Sequence, residues 1–178
     1  NPKPDFKFYY HLINKKLIDY KFLFNTKNNS KLSLVTGENI ETAFKYYNKY
    51  ISKYKIYEIY NLEKFKKWIL GDISITRTYL CYQDNKIIGF VHLMQNNYFI
   101  DNDTKEVIDI IYLFGNQKEI LKHMLNWKYQ YFILTDIKEH KNIIQEYQLE
   151  KLYESRYYFY NYELLNKYNK DDMGLVNF

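Results

Sequence analysis

Apolar positions along this chain switch between two periods, and each switch marks an element. From Leu32 to Val35 a short apolar run predicts a strand. Asn39 then precedes a stripe of Ile40, Ala43, Phe44, Tyr47, Ile51 and Tyr54, the spacing of one helix face with Asn39 as its N-cap. Asn61 stands in the same relation to Leu62, Phe65, Trp68 and Ile69, a second helix that stops at Gly71. Thr78–Tyr82 and Lys86–Met94 read as strands joined through Gln83-Asp84-Asn85, a hairpin signal. Val107–Leu113 is a third apolar strand. A helix over Gln117–Lys128 faces Ile120, Leu121, Met124 and Leu125 inward, and is followed by the strand Tyr131–Thr135, a helix near Glu139–Glu146 and the strand Arg156–Tyr162. Before this series lie the extended aromatic run Asp5–His11, an ambiguous apolar segment over residues 15–24 and a polar loop over Asn25–Lys31, expected to be exposed.

The order from Leu32 is strand, two helices, three strands, helix, strand, helix, strand. It resembles the fold of Gcn5-related N-acetyltransferases, an α+β arrangement with a mixed central sheet flanked by helices. In such acetyltransferases a glycine-rich loop after the fourth strand opens a helix whose free N–H groups hold the cofactor's pyrophosphate. The equivalent stretch here is Tyr112-Leu-Phe-Gly115-Asn-Gln-Lys118-Glu119, with one glycine and an anion where phosphate would sit. Gly115 reads as a turn glycine, and no acyl-CoA is expected to bind this domain.

Composition narrows the picture further. At 178 residues, 47% of them hydrophobic, the chain is long enough for one real core. The net charge of +5 comes almost wholly from lysine, since Arg77 and Arg156 are the only arginines, and lysine lacks the bidentate fork favoured for reading phosphates. Abundant tyrosine, lysine, asparagine and isoleucine point to an AT-rich genome. Cys81 is the lone cysteine, which excludes an internal disulfide and a cysteine metal cluster and suits a reducing, cytoplasmic setting. The four histidines, His11, His92, His123 and His140, show no metal-site spacing. No run approaches membrane-spanning length and no signal peptide is visible. The first residue is Asn1, compatible with a piece of something longer.

Several segments resemble the C-terminal half of N-myristoyltransferases. Tyr9-Tyr10-His11 followed by Lys15-Lys16-Leu17-Ile18-Asp19 is similar to that family's Tyr-Trp-His segment and its Lys-Lys-Leu-Ile-Asp/Glu. Trp68 falls at the family's spacing, Ile88-Gly89-Phe90 at its Thr-Asp-Phe, and Tyr131–Asp136 with Glu139 at its Asp-Val-Phe-Asn-Ala-Leu-Asp strand. Leu149 stands at the Leu-Lys-Phe position. Most specific are Tyr157-Tyr158-Phe159-Tyr160-Asn161-Tyr162, which resembles Tyr-Tyr-Leu-Tyr-Asn-Trp, and Gly174-Leu175-Val176, which resembles the closing Gly-Leu-Val-x-x. His92 departs from the pattern by occupying a groove serine's position, and neither Tyr112 nor Leu113 supplies the family's asparagine.

The resemblance implies the second half of a pseudo-symmetric two-domain enzyme. Residues 1–30 would be a connecting segment from an N-terminal half that is absent here, and residues 31–178 a peptide-binding domain. The whole enzyme would transfer myristate from myristoyl-CoA, held in the other half, to the N-terminal glycine of proteins. Without that half this chain is expected to be inactive. An α-amino group has a pKa of about 7.7–8.0, so it arrives mostly protonated and needs a base within reach. By resemblance that base is the C-terminal carboxylate of Phe178, delivered inward by Gly174 and Leu175, whereas chain ends in general fray into solvent. Burial raises a carboxyl's pKa and lowers an amine's, which narrows their mismatch. Tyr9, His11, His92 and Asp136 would line the peptide groove. The residues alone leave other readings open: core packing for His11 and His92, and a helix N-cap for Asp136. Two further functions stay in play. One is a non-catalytic remnant that binds glycine-starting peptides. The other is a basic, tyrosine-rich nucleic-acid binder with stacking aromatics and steep salt dependence.

Overall fold

A computed structural model describes residues 6–14, 29–54, 57, 59–100, 102–135, 137 and 140–157. Among the described residues eleven elements follow one another: β1 (Phe6–Asn14), β2 (Ser30–Leu34), α1 (Ile40–Ile51), α2 (Leu62–Ile69), β3 (Thr76–Gln83), β4 (Lys86–Ile100), β5 (Asp103–Gly115), α3 (Gln117–Met124), β6 (Tyr131–Thr135), α4 (Lys141–Glu146) and β7 (Glu150–Tyr157). The strands form one sheet in the order β2-β3-β4-β5-β6-β1-β7. β5 and β6 run parallel, and every other neighbouring pair is antiparallel.

Local chemistry explains most boundaries. Asn61 accepts a hydrogen bond from the Lys64 N–H at 2.8 Å, the N-cap read from the sequence. Asn39 sits at the predicted helix start but does not cap it. Its side chain accepts from the Thr36 N–H at 2.8 Å and donates to the Leu34 carbonyl at 3.1 Å, so it closes the turn before α1. The β3–β4 hairpin turns on Asp84 and Asn85 at φ +50° and +61°, the double left-handed pair of a tight two-residue hairpin turn. α3 ends at Met124 instead of Lys128, because the next amides reach back only three residues. The Asn126 N–H donates to His123 O at 3.2 Å and the Trp127 N–H to Met124 O at 2.9 Å.

Three stretches differ from the periodic reading. Ser30 and Lys31, placed in an exposed loop, belong to β2 and pair with Gln83 and Tyr82. β4 and β5 extend well past their apolar cores into a hairpin arm, with Gln95–Ile100 pairing back on Asp103–Ile108. The arm is polar along much of its length, so hydrophobic alternation does not mark it. β7 starts at Glu150, six residues before Arg156, as an edge strand whose charged positions hide its period.

The sheet has two packed faces. On one, α1 and α2 cover Leu80, Phe90, Tyr112 and Phe114, with Tyr47 fully buried among aromatic rings. On the other, α3 and α4 cover Val91, Leu93, Ile108, Ile110, Leu113, Phe132 and Leu134. A third cluster joins Ile100, Val107, Tyr131 and Ile133 to Tyr10, Leu12, Tyr98 and Tyr153 on the α1–α2 side. β4 and β7 lie four strands apart, about 19 Å in a flat sheet at 4.7–4.9 Å per strand. Yet the Tyr98 and Tyr153 ring centroids are 6.5 Å apart. The sheet and its arm therefore curl, and the α1–α2 side is the concave one.

Candidate functional site

A buried polar side chain costs free energy unless it is hydrogen-bonded, so each one present needs a reason. Among the described residues the buried polar side chains are Thr78, His92, Asp109, Glu119, Thr135 and His140. Strand alternation puts Thr78, His92, Asp109 and Thr135 in one band across the concave face. His92 is 1% exposed, its Nδ1 2.7 Å from Thr78 Oγ1 and its ring 4.4 Å from the Trp68 ring. Burial pushes its imidazole down to about 3, so it is neutral in the folded protein.

Asp109 lies farther along the band. Its Oδ2 accepts from Asn96 Nδ2 at 2.6 Å and from the Tyr98 hydroxyl at 2.9 Å, whereas its Oδ1 is buried with no hydrogen-bond partner. Burial raises the carboxyl's pKa, against the two hydrogen bonds that lower it. Burial also raises the Tyr98 phenol, followed by its interactions with Tyr153 and Asp109. At the end of the band β5 and β6 part: their register runs to Ile110 and Leu134 and goes no further. His140 fills the gap, fully buried, with Nδ1 2.6 Å from the Thr135 carbonyl oxygen and Nε2 3.2 Å from that of Leu113. Both nitrogens face acceptors, so the imidazole clasps the two strands where they would otherwise splay.

The residues singled out in the sequence are distributed unevenly. His92 is in the band. His11 is on the opposite face, with Nδ1 3.1 Å from the Leu149 carbonyl oxygen, so the structure does not bring these two histidines together. Tyr9 is in β1, paired with Glu154. Asp136, Gly174, Leu175 and Phe178 lie outside the described residues. Asp109, Asn96, Tyr98 and His140 carry the band's polar contacts and were not assigned a role from sequence. One signal was present: Asp109 is the charged residue inside the apolar run Val107–Leu113.

The convex face holds a different cluster. Ser30 Oγ donates to Glu119 Oε2 at 2.7 Å and lies 2.9 Å from His123 Nε2, with Lys122 Nζ 3.9 Å from Glu119 Oε1. Burial, then the Glu119 charge, pushes the Cys81 thiol up to about 11. Glu119 is in the first turn of α3, the position where a phosphate-binding helix presents free donors. Here Asn116 Oδ1 accepts from the Glu119 N–H at 3.4 Å, and a buried carboxylate supplies negative charge to the helix end. Gly115 is a turn glycine at φ +84°. A Cβ there would meet Ile88 O at 2.2 Å and Tyr46 Oη at 2.6 Å, so the close approach is to the protein itself. A carboxylate buried in that first turn opposes a second anion there. Among the described residues no group of three or more His, Cys, Asp or Glu side chains is placed to hold a metal, and no helix is long and apolar enough to cross a membrane.

No family model matches the chain, and no curated protein does. Solved structures do. Two crystal structures of Saccharomyces cerevisiae N-myristoyltransferase with bound myristoyl-CoA, one of them also with inhibitors, superpose with TM-scores of 0.65 and 0.64 at 14% and 13% identity. Each match covers 85% of this chain and 46% or 48% of the yeast chain. A Gcn5-related N-acetyltransferase from Anabaena variabilis matches with a TM-score of 0.60 at 10% identity, over 86% of this chain and 40% of that one. The chain thus has the Gcn5-related acyltransferase fold, a curled mixed sheet flanked by helices, and spans about half the length of the yeast structures it matches.

Proposed function

We propose that this chain is the acceptor-binding part of an acyltransferase of the N-myristoyltransferase type, which transfers myristate to the N-terminal glycine of proteins. The observation that carries this reading is the closed N-terminus of α3. An acyltransferase fold whose phosphate-binding helix carries a buried Glu119 in its first turn, with Asn116 on one of the free N–H groups, suits an acceptor better than an acyl-CoA. The likeness to N-myristoyltransferase in fold and the Gly174-Leu175-Val176 tail support the more specific assignment. In this reading myristoyl-CoA is held by a separate half, and the peptide lies along the concave face near His92. Tyr9, Asp136, Gly174 and Leu175 are the other proposed groove residues, and the Phe178 α-carboxylate is the proposed base. His11, on the far face, braces β1 against Leu149.

The test is a titration of the full 178-residue chain with a peptide that begins with glycine, against the same peptide with a leading alanine. Tighter binding of the glycine peptide is expected, and equal affinity for the two sinks the reading. Appending two residues after Phe178, in an enzyme assembled with an acyl-CoA-binding half, is expected to abolish transfer. Undiminished turnover would remove Phe178 from the mechanism.

A further inference from the structure

Asp109 has the features of a ligand-binding carboxylate and lacks those of a structural one. A carboxylate oxygen has two lone pairs, and leaving a buried acceptor unmade costs about 1–3 kcal/mol, more for a charge. The two donors that reach Asp109, Asn96 and Tyr98, both use Oδ2. Oδ1 has none, although the residue is only 8% exposed. No lysine, arginine or histidine contributes to its electrostatics, and none pairs with it among the described residues. The surroundings are tyrosines. Tyr10 and Tyr153 stack at 4.3 Å with an interplanar angle of 13°, and Tyr98 lies 6.5 Å from Tyr153 at 25°. Each of the three rings is half-buried.

We propose that Asp109, Tyr98, Tyr153 and Tyr10 form a subsite for a primary ammonium group. The chemistry matches on each count. An ammonium brings three N–H donors and a positive charge that no described residue supplies. One N–H answers the vacant Oδ1. The Tyr98 hydroxyl donates to Oδ2 and holds the carboxylate in place beside the Tyr153 ring. Tyrosine ring faces attract cations, and attract them more strongly when both are shielded from water. A metal cation is a poorer fit, because one carboxylate among phenols falls short of the oxygen ligands a hard cation needs. Assigning the ammonium to the acceptor peptide rests on the function proposed above; the subsite itself does not.

The direct probe is methylammonium chloride, titrated into the full chain with ¹³C-labelled aspartate carboxyls, and sodium chloride at equal ionic strength as the control. A saturable shift of the Asp109 carboxyl with methylammonium alone, lost in Asp109→Asn, is the expected result. The same response to both salts, or none to either, overturns the subsite. Two peptides then locate the source: a lysine-free peptide with a free amino terminus, and an N-acetylated peptide carrying one lysine. Asp109→Asn is expected to weaken one of them by about tenfold. Which one it is tells whether the terminus or a side chain occupies the subsite. Unchanged affinity of both in the variant overturns the assignment to the acceptor. A methylammonium response in a protein that binds neither peptide supports the subsite and sinks the acceptor-domain reading instead.

Discussion

Two buried carboxylates on opposite faces of one sheet show how the same side-chain chemistry serves different ends. Glu119, on the convex side, is enclosed by Ser30, Lys122, His123 and the first turn of α3. Its charge is matched by donors, a cation and the helix dipole. Asp109, on the concave side, has both its donors on one oxygen and no counter-charge among the described residues. The first arrangement holds β2 to α3, residues 89 apart in sequence. The second leaves a buried acceptor vacant on the concave face, beside the Tyr98 and Tyr153 rings. A satisfied buried charge reads as architecture, and an unsatisfied one as a place for something else to bind.

The largest expected effect is on the concave side. His92 is held neutral, with its pKa down to about 3 against a usual 6.5. A base depressed by folding stabilises the fold above its unfolded pKa. That stability is lost as pH falls from 6.5 toward 3, by several kcal/mol at about 1.4 kcal/mol per unit. Urea denaturation between pH 7 and pH 4 is expected to show a steep fall in wild type and a shallower one in His92→Gln; parallel slopes would mean that other groups carry the acid sensitivity. Next comes the end of β5. Gly115→Ala puts a Cβ against Ile88 O and Tyr46 Oη at a positive φ and is expected to cost about 3 kcal/mol or more, read from the denaturation midpoint.

The two carboxylates themselves give smaller, contrasting numbers. Glu119→Ala removes the carboxylate that Ser30 donates to and Lys122 faces, and is expected to lose about 1–3 kcal/mol. Asp109→Asn keeps the shape, lets Asn96 still donate, and is expected to change stability at pH 7 by less than about 1 kcal/mol, toward gain. The sign follows from the raised carboxyl pKa. A raised acid destabilises the fold above its folded pKa, and that penalty disappears as pH falls below the unfolded value. The advantage of Asp109→Asn over wild type is therefore expected at pH 7 and not at pH 3. A loss as large as that of Glu119→Ala would erase the contrast and make Asp109 a structural group.

Much of the fold was legible in the chain, for a definite reason. Helix and strand periods are written into neighbouring residues, so α1, α2, β6 and the β3–β4 hairpin fall where the spacing puts them. Asn61 shows that a cap is equally local. Elements whose polarity does not alternate were not legible. The arm over Gln95–Ile100 is polar because it stands partly clear of the helices, and β7 is charged because it is an edge. The candidate site was legible only as an anomaly, an aspartate inside Val107–Leu113.

What the sequence determined by itself is the list of elements, their order and their apolar faces, because each depends on residues a few positions apart. Only the tertiary structure decided the partners. It set β1 between β6 and β7, pairing Tyr10 with Thr135 and Phe6 with Tyr157 across nearly the whole chain. It turned Asn39 back on Thr36 instead of forward on its helix. It also drew Asp109, Tyr98, Tyr153 and Tyr10 together from four strands by curling the sheet. Curvature belongs to the whole sheet, so no window of sequence contains it.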